Sequence, residues 1–419
     1  MISISIYMVS SLFILGLFLL TCAFYYCLKT VDRSTIADSD LPFISVLIPA
    51  RNEEGKIERC IESILNQDYP NFELIIIDDR STDRTGEIIA GYAERDSRVK
   101  FVQGKDAPDG WIGKCNALAH SVRYASGDWF IFTDADTYHH PNSLRDAVSY
   151  AVESKLDLLS FVPVQELGSF PERLVMPVLL SSFLLGDPFN TVNDQDAKRA
   201  YAYGQYEIGR AHYGQYVMCR RDPYIATGGH QAVRDEIVED HAMARVFKEK
   251  GYKIGVADGK SLYSVRMYTD WESMWQGWTK NLYSFIDSKV SNLFIILVLM
   301  NTVLLLPYFE LAWVIAEWIE GDATVNLYRL TFFVLAQYVV LFSWFKRVSE
   351  HHAGTNWMHF FLIPFGGVAV SGLFLHAAYL VLFGEQVSWK GRKYVVSTHK
   401  TIKSSHGIEK AKLMPDVSD

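Results

Sequence analysis

The stretch GDWFIFTDADT, residues 127–137, ends a run of strand-like residues, Trp129 to Thr133, in two carboxylates, Asp134 and Asp136, one alanine apart. On an extended chain such a pair leaves on the same side, with Cα atoms roughly 7 Å apart. Bare carboxylates this close raise one another's pKa unless a cation stands near them. A hard divalent ion, magnesium or manganese, held by one or two carboxylates and completed by substrate phosphates, meets that need. A lone D-x-D is also a common turn sequence. Its value here comes from its place at the end of a buried strand.

Two further clusters extend the chemistry. In DGWIGKCNAL, Gly110, Gly113 and Lys114 stand where a helix is expected to begin, and a helix N-terminus offers free N–H groups to an anion. Lysine adds a point charge suited to phosphate, although the spacing of a Walker loop is missing. In GGHQAVRDEIVEDHAMARVFKEKGY, Glu239 and Asp240 precede an amphipathic helix. Asp240 reads equally as a helix cap or as a general base.

The elements that must position these groups alternate. FISVLIPA (43–50), FELIIIDD (72–79), VKFVQG (99–104) and DWFIFTDAD (128–136) read as strands, and helical spacing fills the segments between them. This predicts an α/β domain with a mostly parallel sheet and helices on both faces. Ligands of such sheets lie beyond the carboxyl ends of the strands. Glu53, Asp78, Asp79, Asp134 and Asp136 all follow or end strands, so they are expected along one edge.

Charge is unevenly distributed along the 419 residues. The formal net charge of −8 argues against nucleic acid as the main partner, and five scattered cysteines without a C-x-x-C pair read as reduced thiols. Residues 2–28 are uncharged and long enough to cross a bilayer, and they lack the basic start and cleavage site of a signal peptide. Apolar runs return near 292–318, 328–345 and 357–384. The expected layout is a membrane helix over 1–28, a domain over 29–290, a membrane region over 291–384 and a basic tail over 385–419. Lys29, Arg33, Lys346 and Arg347 place the domain on the cytoplasmic side of a multi-pass protein of the cell membrane. Pro364, Gly366 and Gly367 leave open a broken or re-entrant element in the last run. The apolar stretch 171–190 reads either as a helix lying in the membrane interface or as a buried core helix.

SVLIPARNEE, LIIIDDRSTDRT, GKCNALAHSV, FTDADT, GGH and VEDHAMARVFKEKGY, in this order over about 43–285, resemble the family 2 glycosyltransferases, whose fold is the nucleotide-sugar-binding GT-A fold. The membrane-anchored layout, PDGWIGK and the terminal WKGRKY look closer to the branch that glycosylates membrane lipids, including carotenoid-acid and hopanoid-associated enzymes. The resemblance implies that Ala50, Arg51 and Glu53 line a nucleotide pocket and that Asp79 accepts from the uracil ring of a UDP-sugar. It implies Lys114 at the diphosphate, Asp134 by the ribose and sugar, and Asp136 on Mg2+ or Mn2+. Gly228 and Gly229 would shape the loop beneath the transferred sugar, and Asp240, beside Glu239, would be the base. It further implies an inverting transfer of one hexose, glucose from UDP-glucose, to a membrane lipid acceptor such as a carotenoid acid.

The Q-x-x-R-W motif of the processive members is absent: Gln276 is followed by Thr279 and Lys280. That weighs against the alternative of a polysaccharide synthase. A non-catalytic scaffold would be expected to have lost some of these acids. Trp275, Trp278 and Lys280 read as an aromatic belt at the membrane surface or as groups closing over a substrate.

Overall fold

The computed structural model describes residues 28–186, 213–286, 300–321 and 324–383, two short strands at 387–389 and 392–394, and isolated positions in 9–16 and at 297–298. Most of the expected N-terminal membrane helix, and the tail beyond 394, lie outside the described residues.

The strands are β1 (Lys29–Thr30), β2 (Ile44–Ala50), β3 (Phe72–Asp78), β4 (Val99–Gln103), β5 (Trp129–Thr133), β6 (Thr137–His139), β7 (Leu158–Val162), β8 (Val164–Gln165), β9 (Tyr216–Arg220), β10 (Ile254–Asp258) and β11 (Tyr263–Val265). Eight of them form one sheet in the order β1-β10-β7-β9-β5-β2-β3-β4. Neighbours are parallel except β9, which runs antiparallel to both β5 and β7. A smaller sheet, β6-β11-β8, is built from the chain that follows the two acids and from its partners.

All seven residues of β3 are buried, as expected of a parallel strand covered on both faces. The period of two divides the core. Leu47, Ile75, Phe130 and Phe132 pack to one side, under α3 (Gly113–Ser121) and α8 (Glu239–Glu249). Ile48, Ile76 and Ile131 pack to the other, under α1 (Ile57–Leu65), α2 (Thr85–Arg95) and α4 (Ser143–Glu153). Ile57, Cys60, Ile61 and Ile64 of α1 recur at helical spacing and are buried, and Leu65 at its end is partly buried.

Between these units and the chain's end lie α5 (Phe170–Gly186), α6 (Arg221–Thr227), α7 (Gly229–Ala232), α9 (Trp271–Ile286), α10 (Leu306–Glu320), α11 (Val325–His352) and α12 (Ile363–Phe383). Among the described residues, Val325–His352 and Trp357–Phe383 are long and apolar enough to cross a membrane, by length and composition. Membrane helices were expected at both ends; the described chain carries candidates toward the C-terminus only.

Three points that the sequence left open take a definite local form. The last apolar run is not broken: a 3-10 turn over Trp357–Leu362 leads directly into α12, where Pro364 falls in the first turn and leaves no intrahelical bond unmade. Gly366 serves packing instead, since a Cβ there would lie 2.4 Å from the carbonyl of Leu174 in α5. The stretch 171–190 is helical to Gly186, and Val175, Met176, Val178 and Leu179 are buried among residues of α9, α11 and α12, as in a core helix. Trp278 is only 8% exposed, with its indole N–H directed at Met176 Sδ, and the Trp275 indole donates to His376 of α12. These two rings join helices rather than line a surface belt.

Candidate active site

The acids were expected on an extended strand. The chain instead turns at Ala135–Asp136 as it passes from β5 to β6, and the Thr137 N–H donates to the Asp134 carbonyl. The turn is held from outside as well. Asp134 N–H and Thr133 Oγ1 donate to the Gln215 carbonyl ahead of β9, and Arg266 N–H donates to the Asp136 carbonyl. The turn sends the two carboxylates to different cations. Asp134 Oδ1 is 2.8 Å from Lys114 Nζ, and Asp136 Oδ2 is 3.8 Å from Lys56 Nζ.

Lys114 is the second residue of α3, whose N-cap, Ile112, makes no side-chain cap bond. Its ammonium also meets Glu239 Oε1 at 2.7 Å. Burial works against the lysine charge, but Asp134 and Glu239 outweigh it and hold the ammonium well above its usual pKa. Burial likewise opposes the Glu239 charge, and Lys114 overcomes it, so that the carboxyl is held below its usual range. Glu239 is 8% exposed. As an ionised partner of Lys114 it orients that lysine and is poorly placed to take a proton.

Asp240 differs. The N-cap of α8 is Val238, and Asp240 is the second helical residue, accepting from the His241 N–H at 2.9 Å. Capping of a free helix N–H and an orientation toward the site therefore coexist in one side chain. Burial and the neighbouring Glu239 charge push its carboxyl above the usual aspartate range, against the pull of His241 and Lys114. Asp240, Glu239, Lys114 and Asp134 line a single pocket, floored by Phe132, Val217 and Met243.

The Gly228–Gly229 pair immediately precedes His230, which lines this pocket. Gly228 caps α6 at φ 89°, and Gly229 follows at φ 51°. A Cβ on Gly229 would lie 2.3 Å from the Tyr224 ring, so only glycine fits. The turn brings His230 N–H to the Tyr224 hydroxyl and sets that hydroxyl 2.8 Å from His230 Nδ1. Burial pushes His230 down to about 4, so it is neutral at pH 7. Sequence reasoning quoted GGH without giving His230 a role, and it passed over Tyr224, four residues before the motif.

The remaining expected residues lie at the ends of β2 and β3. The Asp79 N–H donates to the Ala50 carbonyl, and Arg51 Nη1 donates to the carbonyls of Asp79 and Arg80. The two loops are laced together: Asn52 N–H donates to Ser81, Glu53 N–H to Thr85 Oγ1 and Glu54 N–H to Asp83. Asn52 and Arg80 both hold positive φ, a backbone cost that the lacing sustains. Asp78, expected with the edge acids, is buried and accepts from Ser81 N–H, so it shapes the turn.

Among the described residues no three His, Cys, Asp or Glu side chains form a metal cage. The donor set available at the turn is carboxylate oxygen from Asp136 with Asp134 beside it, which fits a hard cation completed by phosphate oxygens and not a thiolate- or imidazole-bound one.

Residues 45–201 match the model of glycosyl transferase family 2. The chain is 28% identical over 246 residues to the 4,4'-diaponeurosporenoate glycosyltransferase of Staphylococcus aureus (strain USA300), covering 57% of this chain and 60% of that protein. The match thus spans about three-fifths of the relative's length. Among solved structures, a mannosyltransferase of Pyrobaculum calidifontis in complex with GDP-Man and Mn2+ aligns over 91% of this chain and 99% of its own, with 16% identity and a TM-score of 0.49. A glucosyl-3-phosphoglycerate synthase of Mycobacterium tuberculosis aligns over 62% and 85%, with 20% identity and a TM-score of 0.39. Residues 45–201 are thus similar in sequence to the family 2 glycosyltransferases, and the mostly parallel sheet and the D-A-D turn of the described residues agree with that similarity.

Proposed function

We propose that the protein is an inverting glycosyltransferase that moves a single hexose, glucose from UDP-glucose, to a membrane lipid acceptor such as a carotenoid acid. The observation that carries this reading is the convergence of Asp134, Lys114, Glu239 and Asp240 on one pocket at the carboxyl edge of the sheet. The relative named for a carotenoid acid supports the acceptor class.

In this reading Arg51, Glu53 and Asp79 hold the nucleobase end, with Ala50 closing the pocket floor, and Asp134 meets the ribose and sugar. The acceptor oxygen attacks the anomeric carbon in line as the bond to the diphosphate breaks. Asp240 takes the proton of a hydroxyl acceptor, and it orients a carboxylate acceptor, which has none to lose. Lys114, aimed by Glu239, neutralises charge on the departing nucleoside diphosphate. Magnesium or manganese on Asp136 supplies Lewis-acid charge neutralisation at the same diphosphate when bound. Gly228 and Gly229 let the backbone approach the sugar. The helices α11 and α12 and the apolar N-terminal run hold the domain at the cytoplasmic leaflet of the cell membrane.

The test uses membranes containing the wild-type chain, Asp136→Ala or Asp240→Asn, given labelled UDP-glucose with Mg2+ or Mn2+ and then extracted with organic solvent. Metal-dependent label in the organic phase, lost in Asp136→Ala and reduced at least about a hundredfold in Asp240→Asn with a hydroxyl acceptor, is the expected result. Label in an insoluble aqueous polymer would replace the reading with a polysaccharide synthase.

A further inference from the structure

Each acid of the D-A-D turn has its own lysine. Lys114 serves Asp134, and Lys56, which precedes α1, stands 3.8 Å from Asp136 Oδ2 and donates to the Met267 carbonyl at 3.1 Å. Lys56 therefore links three segments that meet at the turn: the loop after β2, the turn after β5 and the chain after β11. The Arg266 N–H holds the Asp136 carbonyl from the same third segment. The Asp136 side chain is only 15% exposed, so its charge interacts with Lys56 across a partly desolvated gap.

We propose that Lys56 is a positioning residue for Asp136: a resident cation that neutralises the carboxylate before nucleotide and metal arrive, and that competes with a divalent ion for it. A partly desolvated carboxylate needs a nearby positive charge, and for Asp136 this chain supplies one from the Lys56 side chain rather than leaving the whole task to a metal. At 3.8 Å from Asp136 and 3.1 Å from the Met267 carbonyl, the ammonium holds the carboxylate by the longer of its two contacts, the one that a divalent ion would displace. Lys56 thereby sets how tightly the site takes a divalent ion. This inference rests on the assignment of Asp136 to the metal.

The test measures Mn2+ binding by electron paramagnetic resonance on the detergent-solubilised full chain at saturating UDP, without turnover. Lys56→Gln keeps a donor for the Met267 carbonyl and removes the charge; Lys56→Met removes both; Lys56→Arg keeps the charge. Both neutral variants are expected to bind Mn2+ roughly two- to fivefold more tightly than wild type, the range for a partly exposed charge pair, with Lys56→Arg near wild type. Unchanged affinity in Lys56→Gln, with weakened affinity or lowered Tm in Lys56→Met alone, would make Lys56 a structural brace and overturn the inference. A wild-type chain that binds UDP but no Mn2+ would overturn both this inference and the metal assignment. A chain that binds neither would overturn the proposed function with it.

Discussion

At the residue scale the site is a set of charges tuned by one another. Lys114 sits between Asp134 and Glu239, so the lysine stays protonated and Glu239 stays ionised. Asp240, one residue along, is pushed the other way by burial and by the Glu239 charge. A base must be deprotonated to act, so with a hydroxyl acceptor the acid limb of kcat/KM is expected above the ordinary aspartate value of about 3.9. Glu239→Gln removes the repulsion and leaves the attraction of Lys114. The Asp240 carboxyl then ionises more readily, and the acid limb moves to lower pH. A limb that stays put or moves up would exclude Asp240 as the titrating base. The same substitution loosens Lys114, so KM for the donor is expected to rise.

At the element scale, backbone contacts decide what side chains can do. The turn at Ala135–Asp136 separates two carboxylates that an extended strand would have placed together, and the Gln215 and Arg266 backbones fix that turn. Helix α12 approaches α5 so closely that only a hydrogen fits on Gly366. Gly366→Leu is therefore expected to force the two helices apart and to destabilise the detergent-solubilised protein by about 1–3 kcal/mol. Thermal unfolding of the variant checks this, and a Tm within 1 °C or so of wild type would contradict the close approach. The buried Glu172 near the start of α5 is tied by Arg266 Nε and Nη2 and by the Gly168 N–H. The residue whose backbone holds Asp136 thus also anchors the helix that packs against α9, α11 and α12.

At the scale of the whole molecule, the sheet domain and the C-terminal helices share a core. Trp344, Val348 and Ala353, at the end of α11, pack with Leu158, Val162 and Val256 of the large sheet, and His352 Nδ1 meets the Pro163 carbonyl. Trp344 is buried at this junction. Trp344→Ala is expected to cost about 3–5 kcal/mol, and to do so in the sheet domain, not only in the helices. Hydrogen exchange read on β7 and β10 checks it: protection in those strands should fall. Unchanged protection there would mean that the helices and the sheet unfold independently.

The sequence by itself determined the periodic part of the protein. Runs of β-branched and aromatic residues located β2, β3 and β4 to within a residue and the start of β5, whose expected end ran on through the two acids, and the spacing of Ile57, Cys60, Ile61 and Ile64 located α1, because burial on one face or two leaves a period in the chain. Asp134, Asp136 and Lys114 were legible because strand ends and a helix start carried them to one edge. Tertiary structure decided what has no local period. The antiparallel β9 is a short apolar run whose direction depends on its neighbours across the sheet. The pairing of Lys114 with Glu239, 125 positions further along the chain, and of Lys56 with Asp136 depends on loops folding over the sheet edge. Gly366, with Pro364 and Gly367, left a broken helix open in the sequence because glycine and proline disfavour helices on their own. Only the backbone of α5 pressed against it shows that the missing side chain makes room for a neighbouring helix.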